Sequence, residues 1–344
     1  MQEYGYIQQV KWKITLLTLL AISIPIIFSV AISVGVFYID PIKVFTILFL
    51  PNICLDPIEW TIIWNIRVPR ALMALIAGAV LATSGISLQG VLRNPLVSPF
   101  TMGVSLGASF GAALAIVLGV SLIGYGQYII MANAFLFALI ACLTVLFIAK
   151  IKGMTSESVI LAGIAMTYTF SALITLLQYL AQEWQLKILV HWMMGDLALA
   201  NWRRLILIVP SIFICIPLFK YAWDLNSLMM GEEVARSLGT NPEYIRLICA
   251  ILSALAVAIV VCITGPIGFI GLVSPHIARL IIGADYRFSI ICSSLIGAII
   301  LLLADTIARI IIAPIELPVG VITAFLGVPL FVYLLLKARR ELWR

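Results

Sequence analysis

Polar residues are sparse along this chain, and the stretches between them set its architecture. Runs without charge cover 14–39, 71–92, 94–149, 158–182, 205–219, 247–278, 288–304 and 317–336. A helix crosses the hydrocarbon of a bilayer in about 20 residues. The run 94–149 is long enough to cross twice, turning near Gly119–Gly126 (GVSLIGYG). The run 247–278 is too long for one helix and short for two, so it predicts one full helix and one short one, broken at Gly265–Pro266. The result is an all-α integral membrane chain: ten transmembrane helices in a single polytopic domain, residues 1–344. Continuous apolar runs favour helices over the ten-residue alternating segments of a membrane barrel.

Composition agrees. The 344 residues are 63% hydrophobic and 10% charged, against about 25% charged in soluble domains, and mean hydropathy is +1.18. The first apolar run is too long for a cleavable leader, and no A-x-A-like site follows it. Six cysteines are scattered without a CxxC, and the two histidines lie far apart at 191 and 276. No metal site and no cofactor are expected.

Charge orients the spans. With the N-terminus in the cytoplasm, fourteen of the 21 Lys and Arg fall inside, among them Lys11, Lys13, Arg93, Lys150, Arg236, Arg246 and Arg279. Seven fall outside: Lys43, Arg67, Arg70, Lys187, Arg203, Arg204 and Arg309. The positive-inside bias therefore puts both termini in the cytoplasm, in the cell (inner) membrane. Basic groups split between two membrane faces offer nucleic acid no footprint. No GxxxxGK[ST] occurs, so any ATP hydrolysis belongs to another chain.

The outer arginines run against that bias. RVPR (67–70) places Arg67 and Arg70 at the expected outer mouth of span 2, and Arg309 stands at the outer end of span 9. They read either as snorkelling anchors or as guanidinium forks that receive an acidic partner. Asp305 precedes Arg309 by four residues, so the two can pair on one helix face. An intramembrane acid is also a functional candidate, although a proton relay would want a second one.

The longest inner loop, about 222–244, contains GEEVARSLG. It reads as a short helix, with Glu232 and Glu233 near its positive end and Gly239 as its stop. Its apolar lead-in, Leu228-Met229-Met230, suits contact with a cytoplasmic partner better than water. GASFG (107–111) matches the nucleophile-elbow pattern, which needs a strand–turn–helix context. Here Gly103, Gly107 and Gly111 instead make a smooth stripe for close helix packing. Leu96–Pro99 and Leu272–Pro275 share the sequence LVSP, a faint sign of internal duplication. The glycines and prolines of GPIGFIGLVSP (265–275) predict unwound backbone, which membranes tolerate where it is buried in protein or lines a cavity.

Seven ordered stretches carry a resemblance. They are RVPRALMALIAGAVLATSGISLQGVLRNPLVSP (67–99), LAG (161–163), HWMMG (191–195), GEEVARSLG (231–239), GPIGFIGLVSPHIAR (265–279), LLLADTIAR (301–309) and ELPVGVITAFLGVPLFVYLLLK (316–337). Together the chain resembles the FecCD-type ABC permeases of iron-siderophore, haem and cobalamin importers. The resemblance implies the type II ABC importer permease fold and a second permease subunit, identical or paralogous. It also implies two cytoplasmic ATP-binding subunits and an external substrate-binding protein. It places binding-protein docking at Arg67, Arg70 and Arg309. ATPase coupling falls at Gly231, Glu232, Glu233, Ala235, Arg236, Leu238 and Gly239. The inner gate falls at Thr155, Ser156, Glu157 and Ser158, where Glu157 departs from the cobalamin importer's Ser and Thr. Ferric siderophore leads as cargo, with cobalamin and haem open. The rivals are an ion-coupled secondary transporter resting on Asp305 and a membrane protease using Ser109 and His276.

Overall fold

The computed structural model describes residues 2–49, 56–119 and 128–337. Most of the turn expected near Gly119–Gly126 lies outside them. The described residues are helical throughout their ordered elements. The first three are α1 (Gln2–Ser33), α2 (Pro41–Phe49) and α3 (Pro57–Thr61). A π-helical turn, Ile62–Arg67, then runs into α4 (Val68–Val91), and a 3-10 turn, Pro99–Met102, precedes α5 (Val104–Leu118). After α6 (Ile129–Ile151) and α7 (Ser156–Leu180) come α8 (Glu183–Met193), α9 (Trp202–Ile208) and α10 (Pro210–Lys220). The chain closes with α11 (Ala222–Met229), α12 (Glu232–Ser237), α13 (Pro242–Thr264), α14 (Ile270–Ile282), α15 (Tyr286–Ile310) and α16 (Val319–Lys337).

Among the described residues, seven helical stretches are long and apolar enough to cross a membrane: Ile7–Ser33, Pro57–Val91, Ile129–Ile151, Ser156–Leu180, Trp202–Lys220, Pro242–Thr264 and Tyr286–Ile310. Three shorter apolar helices, α5, α14 and the first half of α16, occupy the remaining charge-free runs.

α4 is the axle of the bundle. It is buried along nearly its whole length and packs on α13, α14 and α15. Two glycines on one face, two turns apart, allow this. A Cβ on Gly78 would meet the carbonyl oxygen of Gly297 in α15, and a Cβ on Gly85 would meet that of Gly271 in α14. Lipid supplies no hydrophobic drive between helices, so close backbone approach is what holds them. The glycine stripe of α5 behaves likewise at Gly107 and Gly111, which face the α6 backbone at Phe137 and Asn133. Gly103 instead starts α5 in the left-handed region, φ 75°.

The predicted break is present. α13 ends at Gly265 (φ 69°), and non-helical backbone continues until α14 begins at Ile270. Gly271 touches Gly85, only six residues before α4 ends, so α14 starts well inside the bundle. The LVSP echo has no structural counterpart: Ser98 and Pro99 open a 3-10 turn, whereas Leu272–Pro275 lie within α14.

Candidate functional site: the two charged ends of the bundle

One end gathers α2, the C-terminus of α1 and the outer arginines of the sequence reading. Span 2 begins not at residue 71 but at Pro57, capped by Asp56, whose carboxylate accepts from Ile58 N at 2.8 Å. That adds more than three helical turns before the charge-free run. Arg67 and Arg70 therefore sit within the helix rather than at its mouth. Arg67, Arg70 and Arg309 are all buried, at 6%, 4% and 5% exposure.

Their partners explain the burial. The last carbonyls of a helix have no intrahelical donor, and cations satisfy them well. Arg67 donates to Ile32 O at 2.6 Å, to Ser33 O at 3.1 Å and to Phe37 O. Arg309 donates to Ala31 O at 2.9 Å and Val34 O at 3.1 Å. Arg70 donates to Asp305 at 2.9 Å and Glu316 at 2.5 Å. Asp305 also lies 3.3 Å from Arg309, the i,i+4 pair expected from sequence. A docking fork needs an edge open to solvent. These three guanidiniums turn inward and clamp α1, α4 and α15 together.

The same end carries an element the sequence reading missed. α8 opens with a capping box between Gln182 and Gln185. Gln185 also donates to Ile116 O and Val117 O, tying α8 to the end of α5. Beside it lies a largely apolar cavity of about 390 Å³, edged by Lys187, His191, Asp196 and Arg204. His191 and Asp196 are 3.2 Å apart.

The opposite end carries the coupling and gate candidates. GEEVARSLG folds as predicted: Gly231 turns the chain at φ 116°, α12 spans Glu232–Ser237, and Gly239 stops it at φ 86°. The stretch 222–244 is a braced helical unit rather than a loop. Thr240 donates to Asp224 at 3.0 Å, and Asn226 donates to Asp285 at 2.9 Å while accepting from Tyr286 N. Burial pushes the Asp285 carboxyl up, but bonds from Arg287 and Asn226 outweigh it and hold it at about 2. Ala235 faces inward with no exposure, while Met230 (70%) and Leu238 (64%) stand out, with Met229 and Val234 beside them. Arg236 and Glu233 stay on the exposed face, Arg236 lying 3.4 Å from Glu243.

Thr155–Ser158 form the start of α7. Thr155 caps it by accepting from Ser158 N at 3.2 Å, and the Ser158 hydroxyl donates back to Thr155 O. Glu157 is exposed there. The turn before it holds Met154 at φ 54°. Ser109, the serine of GASFG, is buried and donates to Ser105 O within α5.

One residue sequence reasoning missed is Arg246, in the first turns of α13. It is 2% exposed and donates to Glu232, Val91 O and Met154 O. As one cation among many on the basic side it carried no signal, because two of its acceptors are backbone atoms remote in sequence.

The chain is a polytopic helical bundle with the short helix α12 at one end and non-helical backbone between α13 and α14. The chain belongs to the FecCD transport family, whose model matches residues 19–337. It is 38% identical over 288 residues to the molybdate import system permease protein MolB of Haemophilus influenzae, covering 83% of this chain and 84% of that one. It is 39% identical over 288 residues to the hemin transport system permease protein HmuU of Yersinia pestis, covering 82% and 85%. A solved metal-chelate type ABC transporter in an inward-facing conformation matches with a TM-score of 0.83 at 34% identity, over 94% of this chain and 99% of that one. The chain is thus a multi-pass permease of an ABC importer, and in this family the ATPase is a separate subunit.

Proposed function

We propose that the chain imports an iron-siderophore complex as one of two permease subunits, each with ten spans and both termini in the cytoplasm. Two ATP-binding subunits would dock on α12, and a loaded binding protein would seat on the outer face above the Arg67–Arg70–Arg309 cluster, which shapes that face. The observation that carries the reading is the exposed apolar set Met229, Met230, Val234 and Leu238, which runs from the end of α11 across α12 in a segment held by the Thr240–Asp224 and Asn226–Asp285 bonds. Contiguous apolar surface on a water-facing element marks a protein contact. Thr155–Ser158, at the same end, would form the gate that opens when α12 is displaced.

The cargo is supported by the relatives' names, which give Fe(3+)-citrate and hemin among what they import. Haem and cobalamin remain the alternatives. Uptake of labelled ferric siderophore, hemin, cobalamin and molybdate in cells lacking the chain, then complemented, tests it. Rescue of ferric siderophore uptake supports the reading, and rescue of another cargo alone replaces it.

A further inference from the structure

We infer that Arg246 is a positioning residue that carries displacement of α12 to the gate turn and to the end of α4; this rests on the importer reading above. Arg246 Nη2 meets Glu232 Oε1 at 2.6 Å, in the first turn of α12. Its Nη1 donates to Met154 O, one residue before the Thr155 cap of α7. Its Nε donates to Val91 O at 3.3 Å, the last residue of α4. One planar group thus joins the element exposed to a partner, the turn between α6 and α7, and the end of the most buried span.

A guanidinium suits this role. Its donors are fixed in a rigid fork, so its acceptors cannot shift independently without breaking bonds. Charge-assisted bonds are about twice as strong as neutral ones. Arg246 is also withdrawn from solvent, so water cannot readily replace a lost partner. The bond to Glu232 is the partner-side link, because that carboxylate is the part-exposed member, at 41%. Lysine keeps the charge but lacks the fork and cannot hold three divergent acceptors.

The test uses the permease assembled with its ATP-binding subunits in nanodiscs. Spin labels at Ser156→Cys report the distance between the two gate turns, nucleotide-free and with ATP plus vanadate. The expected result is that Glu232→Gln and Arg246→Lys each reduce the wild-type distance change to less than about half, and that in Arg246→Lys, whose side chain lies inside the bundle, ATP hydrolysis and co-purification stay within about two-fold. A full distance change in both variants overturns the inference. So does a loss of movement that merely parallels loss of folded complex, since that marks a packing role. A wild-type chain that binds no ATP-hydrolysing subunit overturns the importer reading and the inference with it. The first two outcomes overturn the inference alone.

Discussion

Arg70 donates its Nε–H to Asp305 Oδ1 at 2.9 Å, and neither side chain meets solvent. This pair joins α4 to α15, and Arg309 and Glu316 extend it into a four-residue network. Removing one partner of a buried pair leaves a charge uncompensated. Asp305→Ala is expected to cost about 3–5 kcal/mol, read as a large fall in thermal midpoint in detergent. Replacing Arg70 and Asp305 together by Met and Leu should cost less than the sum of the single changes. A role confined to docking would leave the midpoint of the single variants at the wild-type value.

The exposed apolar side chains flanking α12 give a prediction about assembly. Leu238→Asp and Met230→Asp place a charge where an apolar contact is proposed, and each should weaken co-purification of the ATP-binding subunits about 10–100-fold. Yield in the membrane should be unchanged, because neither side chain packs inside. Normal retention of the subunits would move the contact elsewhere.

Asp285 supplies a pH dependence. Its carboxyl is held at about 2, against an ordinary value of 3.8. A depressed acid contributes stability above its unfolded pKa and loses it as pH falls toward the folded one. The contribution should be complete at neutral pH and fade between about pH 4 and pH 2. With the partial exposure taken into account it is on the order of 1 kcal/mol. Asp285→Asn should be less stable than wild type at pH 7, and the two should converge near pH 2. A constant gap across that range would assign the effect to hydrogen bonding alone.

Close packing of α4 predicts intolerance at its glycines. Gly78→Val and Gly85→Val drive side-chain atoms into the backbones at Gly297 and Gly271. Overpacking of this kind costs about 1–3 kcal/mol or more, so folded yield should drop sharply. Gly153→Ala has open space around it but stands at φ 81°, where a Cβ is strained, so its smaller loss separates strain from clash.

Much of this fold is legible in the spacing of charges. Charge-free runs locate the long helices, and Gly265–Pro266 marks the break. They fail where a charge is neutralised inside the bundle. By sequence alone Arg67 and Arg70 end a span, yet Arg67 bonds carbonyls at and just beyond the end of α1, Arg70 bonds Asp305 and Glu316, and the helix reaches back to Pro57. α2 and α8 escape notice because nine and eleven residues are too few to read as spans. The α12 helix is legible because its glycines and first-turn acids are local signals. The Arg246 junction is not, because Val91 and Met154 contribute only backbone.

ATP-driven import is the central claim, and uptake of labelled ferric siderophore in complemented cells tests it most directly when the membrane potential is collapsed by an ionophore while ATP is held constant. The account predicts that uptake continues under those conditions and stops when ATP is depleted. Loss of uptake on adding the ionophore, with ATP intact, would contradict it and return Asp305 to consideration as an ion-coupling group.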